Sequence, residues 1–468
     1  MAIEWSGLSP EILIRLQRDR RTPLGAQLQT ALREAIRAGR LGPGERLPSS
    51  RAMAAELGLS RGLVQACYEQ LEAEGYLSAR SGSGTRVALG ATDPVLTTAP
   101  APALPRLDIS FTPGIPDLSS FPIRDWIWAW GEVGRRVSAA TAGYQDPRGV
   151  GDLRRVIAGY LSRVRGAKAD AGNIVICSGF TQGAALALAV LAAVGARRIG
   201  VEDPGYPDMG AIVTRAGLEP RSIAVDQDGI DVAALAASGA DAVVLTPAHQ
   251  TPTGVVLSPQ RRHALLDWAA AGDRVIIEDD YDAEFRYDRQ PVGSLQGLAP
   301  HRVVSIGSVS KSLAPSVRLG WMLCPPHLTS AIATEKHLLD RGSPALDQFA
   351  LARLVESGRF DRHLRRMRIT YAARRSALDA ALAVHAPSLP VTGLSAGFHV
   401  MALLSLTADE EAVVAAAAAR SVGLQGLRRY RLNAVPGPPG IVLGFGNLTE
   451  EAIWKGILAV ADLLVADL

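Results

Sequence analysis

Residues 303–321 read VVSIGSVSKSLAPSVRLGW, in which a short apolar run is followed by small and hydroxyl side chains and then by a lysine. Similar apolar runs recur in the second part of the chain, between Ala- and Leu-rich segments of helical character: 173–177, 198–201, 241–245 and 274–277. Short β-branched runs that alternate with helices predict a parallel sheet buried on both faces. We therefore expect an α/β domain here.

The residues that follow each run are the candidate site residues, because ligands of such sheets bind at the carboxyl ends of the strands. Lys311 follows the run 303–306, and Arg318 lies seven positions beyond the lysine. A lysine in this place, near hydroxyl groups and an arginine, could form a Schiff base with an aldehyde cofactor. The alternative is an ordinary exposed loop lysine.

Two other strand ends carry side chains that could hold a flat, charged cofactor. Asp279 and Tyr281 follow the run 274–277, where a carboxylate can pair with a protonated pyridine nitrogen and a tyrosine can hydrogen-bond a phenolate oxygen. Tyr206 follows the run 198–201 and could stack on a ring. The alternatives are a solvated acidic loop and a half-buried turn tyrosine.

A third strand end leads directly into a helix. Gly179, Phe180 and Thr181 follow the run 173–177 and open an Ala- and Leu-rich segment. The free backbone N–H groups and the dipole of a helix start favour a phosphate. A helix start built from small residues, with no ligand, is the alternative.

The first 90 residues differ from the rest in charge and in pattern, with twelve arginines, no lysine and nine acidic residues. Thr22-Pro23 predicts the cap and first residue of a helix, Ser49-Ser50 caps a second helix that ends at Gly58, and Ser60 caps a third. Ser81-Gly82-Ser83-Gly84 then separates two short strands. This order is typical of a winged helix-turn-helix, whose third helix enters the DNA major groove; a small dimerisation module is the alternative.

The composition of the chain argues against a disordered protein and against a membrane protein. Of 468 residues, 48% are hydrophobic, which excludes a disordered chain. The longest apolar run, 183–195, is shorter than the ~20 residues of a membrane-spanning helix, and no signal peptide is visible. Three widely spaced cysteines suit a reducing compartment. We expect a soluble cytoplasmic protein without a membrane partner or a metal site.

Residues 21–87 closely resemble the GntR-type winged-helix domain. The resemblance rests on the segment GRLGPGERLPSSR at 39–51, the Leu-Ser-Arg that opens the third helix, and the Gly-Ser-Gly-Thr of the hairpin. It implies binding to a double-stranded DNA operator through Ser49, Arg51, Ser60, Arg61 and Gly82. A Pro-rich stretch at 88–107 reads as an extended linker to the second part of the chain.

From about residue 108 onward, the strand-end segments together resemble the fold type I pyridoxal-phosphate enzymes of the aspartate aminotransferase superfamily. The resemblance implies a mainly parallel sheet flanked by helices, with a smaller C-terminal α/β subdomain. It assigns Lys311 as the catalytic Schiff-base lysine. The other implied contacts to pyridoxal 5′-phosphate are Asp279 for the pyridine nitrogen, Tyr281 for the 3-oxygen, Tyr206 for the ring, and Ser308, Arg318, Gly179, Phe180 and Thr181 for the phosphate.

Three features bear on the assembly and the ligand. Tyr144, in the segment GYQDPRG, matches a tyrosine that reaches the phosphate of the neighbouring subunit, which implies a homodimer. Thr251 stands where metabolic aminotransferases have an asparagine, and the late strand 440–444 lacks their carboxylate-binding arginine. Candidates to replace that arginine lie just upstream: Arg428, Arg429 and Arg431.

The complete architecture resembles the MocR/GabR-type transcription regulators, and TPAHQTPTG at 246–254 and IEDDYDAEFRYD at 277–288 support this subfamily. The expected domains are a DNA-binding domain at 1–87, a linker at 88–107 and an effector domain at 108–468. The effector would be a small amine or amino acid, or pyridoxal phosphate itself. The alternative function is an aminotransferase with a DNA-binding appendage, in which Lys311 also moves a proton. If the protein is a regulator, we expect any transaminase activity to be secondary to regulation.

Overall fold

The computed structural model describes residues 2–5, 14–18, 22–80, 84–89, 107–282, 284–286, 292–393, 396–432 and 437–465. The chain divides into two compact units, Met1–Leu104 and Pro105–Leu468. Most of the predicted linker, residues 90–106, lies outside the described residues. Within the described part, no helix is both long and apolar enough to cross a membrane.

The first unit is a three-helix domain with two small hairpins. Its elements are β1 (Ala2–Trp5), β2 (Ile14–Gln17), α1 (Leu24–Arg37), α2 (Ser50–Leu57), α3 (Arg61–Ala73), β3 (Leu77–Arg80) and β4 (Gly84–Val87). The strands pair antiparallel, β1 with β2 and β3 with β4. Apolar residues from all three helices form one core, including Leu32, Leu57 and Val64. This is the predicted order of helices and hairpin.

The predicted start of the first helix is wrong by one residue. Pro23 occupies the N-cap position of α1, in extended backbone, and no side chain caps this end. The carbonyl of Thr22 instead accepts a hydrogen bond from the side chain of Gln27 at 2.7 Å. The caps of the next two helices are as predicted, because Ser49 and Ser60 accept hydrogen bonds from Ala52 N and Leu63 N.

The second unit is built on an eight-stranded sheet. Its strands are β6 (Ile174–Cys177), β7 (Arg198–Asp203), β8 (Glu219–Asp226), β9 (Gly229–Ile230), β10 (Ala242–Leu245), β11 (Val275–Asp280), β12 (Val303–Ser308) and β13 (Gly320–Leu323). They lie in the order β6-β13-β12-β11-β10-β7-β8-β9. The strands from β12 to β8 are parallel, whereas β13 and β9 run antiparallel to their neighbours. The sheet is therefore mainly parallel, as expected.

Helices cover both faces of this sheet. They are α4 (Ile123–Gly134), α5 (Ala139–Ala142), α6 (Gly151–Arg165), α7 (Phe180–Ala193), α8 (Met209–Arg215), α9 (Val232–Ala237), α10 (Pro259–Ala271), α11 (Pro326–Asp340), α12 (Ala345–Glu356) and α13 (Arg359–His385). Ile277 and Val304 belong to the core formed with α7, and Ile276 and Val303 to the core formed with α10. Because both faces are buried, polar groups of the central strands are concentrated at the strand ends.

The smaller subdomain predicted at the C-terminus is present. Its elements are β5 (Ile109–Ser110), β14 (Val391–Thr392), β15 (His399–Leu403), α14 (Glu410–Ala419), β16 (Val422–Gly423), β17 (Gln425–Gly426), β18 (Gly440–Gly444) and α15 (Glu450–Val465). Four of these strands form an antiparallel sheet in the order β14-β15-β18-β17. Strands β5 and β16 pair in parallel. A separate core under this sheet includes Phe111, Leu378 and Ile457.

A glycine of β13 allows the backbone to approach closely where the sheet meets the start of α7. A Cβ atom on Gly320 would lie 2.7 Å from the carbonyl oxygen of Gly307 and 2.8 Å from the Cα of Gly179. Both neighbours are backbone atoms, which cannot turn aside as a side chain can. This contact fixes the loop before α7 against the ends of two strands.

Gly320→Ala is expected to lower the free energy of unfolding of the second unit by about 1–3 kcal/mol, because overpacking forces the backbone to shift. Urea or thermal unfolding of the full chain measures the change. Gly159→Ala is the matched control, since this exposed residue of α6 has no described atom within 4 Å of its Cβ position. The control should gain about 0.5–1 kcal/mol. Equal stability of the two variants would contradict the close approach.

Candidate functional site

A cavity of about 390 Å³ opens at the carboxyl ends of β10, β11 and β12. It brings together side chains that lie far apart in the sequence. Among the predicted site residues, those that line it are Phe180, Thr181, Tyr206, Asp279, Tyr281, Ser308, Lys311, Arg318 and Arg429. The parallel register explains the convergence, because Asp279 of β11 lies opposite Ile306 of β12.

Lys311 lies three residues beyond β12, half-buried in the cavity wall. Its Nζ donates a hydrogen bond to the carbonyl oxygen of Gly114. Burial lowers the pKa of the amine, against the opposing influence of Asp279 and Asp282. A lower pKa increases the fraction of neutral amine, which is the form that attacks a carbonyl carbon.

Asp279 is buried and differs from its two acidic neighbours, Glu278 and Asp280, because its carboxylate has no hydrogen-bond or ion-pair partner among the described residues; Lys311 is the cation that acts on it from within the cavity. Arg165 pairs with Asp280 at 2.6 Å, and Ser294 donates a hydrogen bond to Glu278. No described residue donates a hydrogen bond to the carboxylate of Asp279, and burial raises its pKa well above the ordinary value. An ionised Asp279 therefore calls for a cationic group inside the cavity.

The start of α7 forms a candidate anion site. Gly179 occupies the N-cap position with φ 113°, a conformation that favours glycine. An added Cβ there would lie 3.8 Å from both Nη1 of Arg318 and Oγ of Ser310, so these two side chains converge on the helix start. The helix dipole, unpaired N–H groups and the guanidinium together suit a phosphate.

Aromatic and hydroxyl groups form the remaining walls. Tyr206 packs edge-on against Phe180, with ring centroids 5.7 Å apart, and its hydroxyl donates to Asp208 at 3.2 Å. The backbone N–H of Thr251 donates to Oγ1 of Thr246 at 3.1 Å. These contacts leave the ring of Tyr206 and the hydroxyl of Thr251 on the surface of the cavity.

A buried carboxylic acid, Glu202, binds Thr246 in this wall. Both the N–H and the hydroxyl of Thr246 donate to Glu202, at 3.0 Å and 2.7 Å. Burial raises the pKa of Glu202 to about 7. The acid thus fixes the orientation of Thr246 and, through it, of Thr251.

The structure separates the three predicted substrate-binding arginines. Arg429 lines the cavity with Gln425 and Tyr430. Arg428 does not line the cavity, is exposed, and pairs with Glu411 at 3.0 Å. Arg431 packs beside Gly437 and does not line the cavity. Of the three arginines, Arg429 is therefore the one that lines the cavity.

Tyr144 lies apart from the other predicted cofactor residues. It is 90% exposed and borders a separate surface hollow, which it shares with Trp130 and Arg341. Within one chain it does not reach the cavity of Lys311. A role at the cofactor would require a second subunit.

In the first unit, the predicted DNA contacts lie at two adjacent helix starts. Arg51 and Arg61 are exposed, and the side chains of Ser49 and Ser60 cap α2 and α3. Gly82 lies outside the described residues.

Two exposed arginines near the hairpin were not among the candidate DNA contacts chosen from the sequence. They are Arg46 and Arg86, whose backbones form an isolated antiparallel β-bridge. Their position beside the hairpin depends on a tertiary contact that spacing does not reveal.

Sequence reasoning also missed three residues that line the cavity, Gly114, Ser310 and His399, and one that lies behind Tyr281, His249. Ser310 directly precedes Lys311, and its hydroxyl group was a signal that the sequence offered. The other three come from distant segments, and only the folded chain brings them to this region.

Two family models match the chain. Aminotransferase class I and II matches residues 114–439, and the gntR family of bacterial regulatory proteins matches residues 24–87. Among solved structures, kynurenine aminotransferase of Pyrococcus horikoshii has a TM-score of 0.70 at 24% identity, covering 77% of this chain and 91% of that one. A multiple substrate aminotransferase of Thermococcus profundus has a TM-score of 0.70 at 25% identity, covering 77% and 92%. These similarities confirm the fold of the second unit.

Two curated relatives match along nearly the whole chain. The HTH-type pyridoxine biosynthesis transcriptional regulator PdxR of Corynebacterium glutamicum is 34% identical, covering 94% of this chain and 96% of the relative. The probable rhizopine catabolism regulatory protein MocR of Rhizobium meliloti is 32% identical, covering 97% and 96%. The chain therefore belongs to the MocR/PdxR-type transcriptional regulators, in which a gntR helix-turn-helix domain is joined to an aminotransferase class I and II domain.

Proposed function

We propose that this DNA-binding regulator senses pyridoxal phosphate, or an amine or amino acid that reacts with it, at Lys311. The observation that carries the proposal is one cavity that combines Lys311, Asp279 and the start of α7. A ligand that occupies this cavity alters DNA binding only if it binds the two conformations of the protein with different affinity.

The side chains of the cavity fit pyridoxal phosphate. Arg318, Ser310 and the N–H groups at Gly179 suit the phosphate, and the buried carboxylate of Asp279 suits a protonated pyridine nitrogen. Tyr281 and Thr251 suit the phenolic oxygen, Tyr206 suits the ring face, and Ser308, Phe180 and Thr181 complete the phosphate end. When bound, the cofactor supplies an aldehyde that reacts reversibly with primary amines and a ring that absorbs light.

The protein's own residues prepare this chemistry. Burial lowers the pKa of the Lys311 amine and so increases the fraction that is neutral. Asp279 would hold a protonated pyridine nitrogen, because an ionised carboxylate in this buried place is stabilised by an adjacent cation. Gly114 accepts the hydrogen bond of Nζ and so positions the lysine in the cavity.

A homodimer in the cytoplasm is part of the proposal. Tyr144 is exposed and apart from its own cavity, as expected of a residue that completes the site of a neighbour. Large apolar side chains are exposed on α4 and at the end of α11: Ile123, Ile127, Leu338 and Leu339. Exposed apolar side chains of this size suit a subunit interface. Two subunits would present two recognition helices to paired half-sites on DNA.

Transamination is a second candidate function. The observation that favours it is that Arg429 and Lys311 line the same cavity, so that an amino acid held by its carboxylate could present its amine to the reactive centre. Multiple turnovers with an amino donor and a keto acceptor would support this function. A single stoichiometric conversion, or none, would favour the regulator.

The cofactor is tested by the visible absorption spectrum of the purified chain after addition of pyridoxal phosphate. The wild type should show a band that depends on Lys311 and that one or more members of a panel of amines shift. Lys311→Ala should lose this band, since it removes the only side-chain amine that lines the described cavity. An identical band in both proteins would contradict the assignment.

Arg429→Gln is expected to weaken the spectral response to amines that carry a carboxylate by about tenfold or more, because a charge-assisted hydrogen bond contributes about 1.5–3 kcal/mol. Titration of the absorption band with amino acids and with matched amines lacking a carboxylate measures the effect. Arg428→Gln is the control, as its side chain faces Glu411. Equal responses of the two variants would show that Arg429 does not bind the effector.

Arg51→Ala combined with Arg61→Ala is expected to reduce the salt dependence of DNA binding. If each arginine contacts a phosphate, the slope of log K against log salt should fall by about 2. Fluorescence anisotropy with a duplex that the wild type has selected from random sequences measures it. The control replaces two exposed arginines of the second unit, Arg155 and Arg420. An unchanged slope and affinity would contradict this docking.

A further inference from the structure

A buried histidine and a carboxylate lie directly behind the tyrosine of the cofactor cavity. Nδ1 of His249 is 2.9 Å from Oδ2 of Asp282 and 3.0 Å from the hydroxyl of Tyr281. The side chains of His249 and Asp282 are each 2% exposed. Because these two polar groups are buried and hydrogen-bonded to each other, the position of the hydrogen between them can be inferred.

The backbone leaves room for this pair. Gly397 has φ 66°, and a Cβ atom there would overlap the ring of His249 and lie 2.5 Å from Oδ2 of Asp282. Any other residue at this position would be strained and would displace the pair. The turn before β15 is thus shaped around His249 and Asp282.

The bonding of Nδ1 decides where the hydroxyl hydrogen of Tyr281 points. A buried carboxylate accepts a hydrogen bond, so Nδ1 of His249 carries the hydrogen and donates it to Asp282. A nitrogen that carries this hydrogen has no lone pair to accept another. Beside this N–H the Tyr281 oxygen can only accept, as it also does from the side chain of Thr251, and its own hydrogen turns away from His249, toward the cavity that Tyr281 lines.

The other side of the imidazole takes no part in this arrangement. Among the described residues, Nε2 of His249 has no hydrogen-bond partner, and neither has Nε2 of His399, whose ring centroid lies 5.2 Å away. Burial, with His249 as a further cause, lowers the pKa of His399 to about 3, so this second ring is neutral. The polar contacts of His249 therefore run through Nδ1.

Other charged groups surround the pair from several elements. Asp279 of β11 and Glu202 of β7 act on Tyr281, and Lys311 and Arg375 act on His399. None of these side chains hydrogen-bonds Nδ1 of His249. These charges are the same in all variants of His249. A comparison of such variants therefore measures the effect of the hydrogen-bond donor at Nδ1 alone.

We propose that His249 and Asp282 are positioning residues that fix the hydroxyl hydrogen of Tyr281 toward the phenolic oxygen of the bound cofactor. This inference rests on the proposed cofactor site. A hydroxyl that donates to the phenolic oxygen stabilises its anionic form. The Lys311-linked cofactor then loses its proton at a lower pH than it would without this donor.

The test is the pH midpoint at which the visible band of the Lys311-linked cofactor changes. Tyr281→Phe removes the donor, and the midpoint should rise by about 1–2 units, as expected for a hydrogen bond to a charged group. His249→Gln removes the donor at Nδ1, and the midpoint should rise by about 1 unit, because the tyrosine hydrogen is then free to turn to Asp282. Asp282→Asn should move it in the same direction.

His249→Asn is the matched control, because the amide nitrogen of asparagine occupies nearly the place of Nδ1 and can still donate to Asp282. Its midpoint should stay within about 0.3 units of the wild type, a small part of the shift expected for a lost hydrogen bond. His263→Gln, on the exposed side of α10, should leave the midpoint unchanged. Thermal unfolding of each variant reports on structural damage separately.

The outcomes distinguish this inference from the function on which it rests. If the wild type shows no band that depends on Lys311, the cofactor site itself is wrong and the inference falls with it. If the band is present and Tyr281→Phe shifts its midpoint while His249→Gln and Asp282→Asn do not, only the positioning role is overturned. Equal midpoints for His249→Asn and His249→Gln would also overturn it.

Discussion

The parallel pairing of β11 with β12 is the constraint on which the site depends. In this register Asp279 lies opposite Ile306 and Asp280 opposite Gly307, so that the acidic end of one strand lies beside the loop that carries Lys311. Both strands are apolar in their first residues, 275–277 and 303–304, because helices cover both faces of the sheet there. Chemistry is therefore possible only where the strands end. A slip of one residue would turn Asp279 to the opposite face of the sheet and away from the lysine.

The three carboxylates at the end of β11 differ in their hydrogen-bond partners, and one of them is available to a ligand. Glu278 is satisfied by Ser294 and by the N–H of Leu295, and Asp280 by the two nitrogens of Arg165 at 2.6 and 2.8 Å. Asp279 interacts with Lys311 through charge but accepts no hydrogen bond from a described residue, so its carboxylate is available to a ligand. Breaking a buried pair such as Arg165–Asp280 leaves an uncompensated charge at the base of the site. The surrounding bonds therefore protect the fold and keep Asp279 free for a ligand.

Much of this arrangement was predictable from the sequence, because local patterns determine strand ends and helix starts. The apolar runs gave the central strands, and the residues after them included Lys311, Asp279 and Arg318. The cap of α1 was wrong because the carbonyl of Pro23, and not that of Thr22, accepts the first backbone hydrogen bond of the helix, from the N–H of Gln27. The choice among three neighbouring arginines, and the histidine behind Tyr281, depended on turns and distant strands that only the folded chain brings together.

The central claim is that occupancy of the Lys311 cavity changes DNA binding. It is tested most directly by the apparent Kd for a selected DNA duplex, measured on cofactor-depleted protein before and after addition of pyridoxal phosphate and then of an amine panel. The Kd of the wild type should change with at least one of these additions, and the Kd of Lys311→Ala should not. A wild-type Kd that stays constant through all additions, although the visible spectrum shows the cofactor bound, would contradict the account.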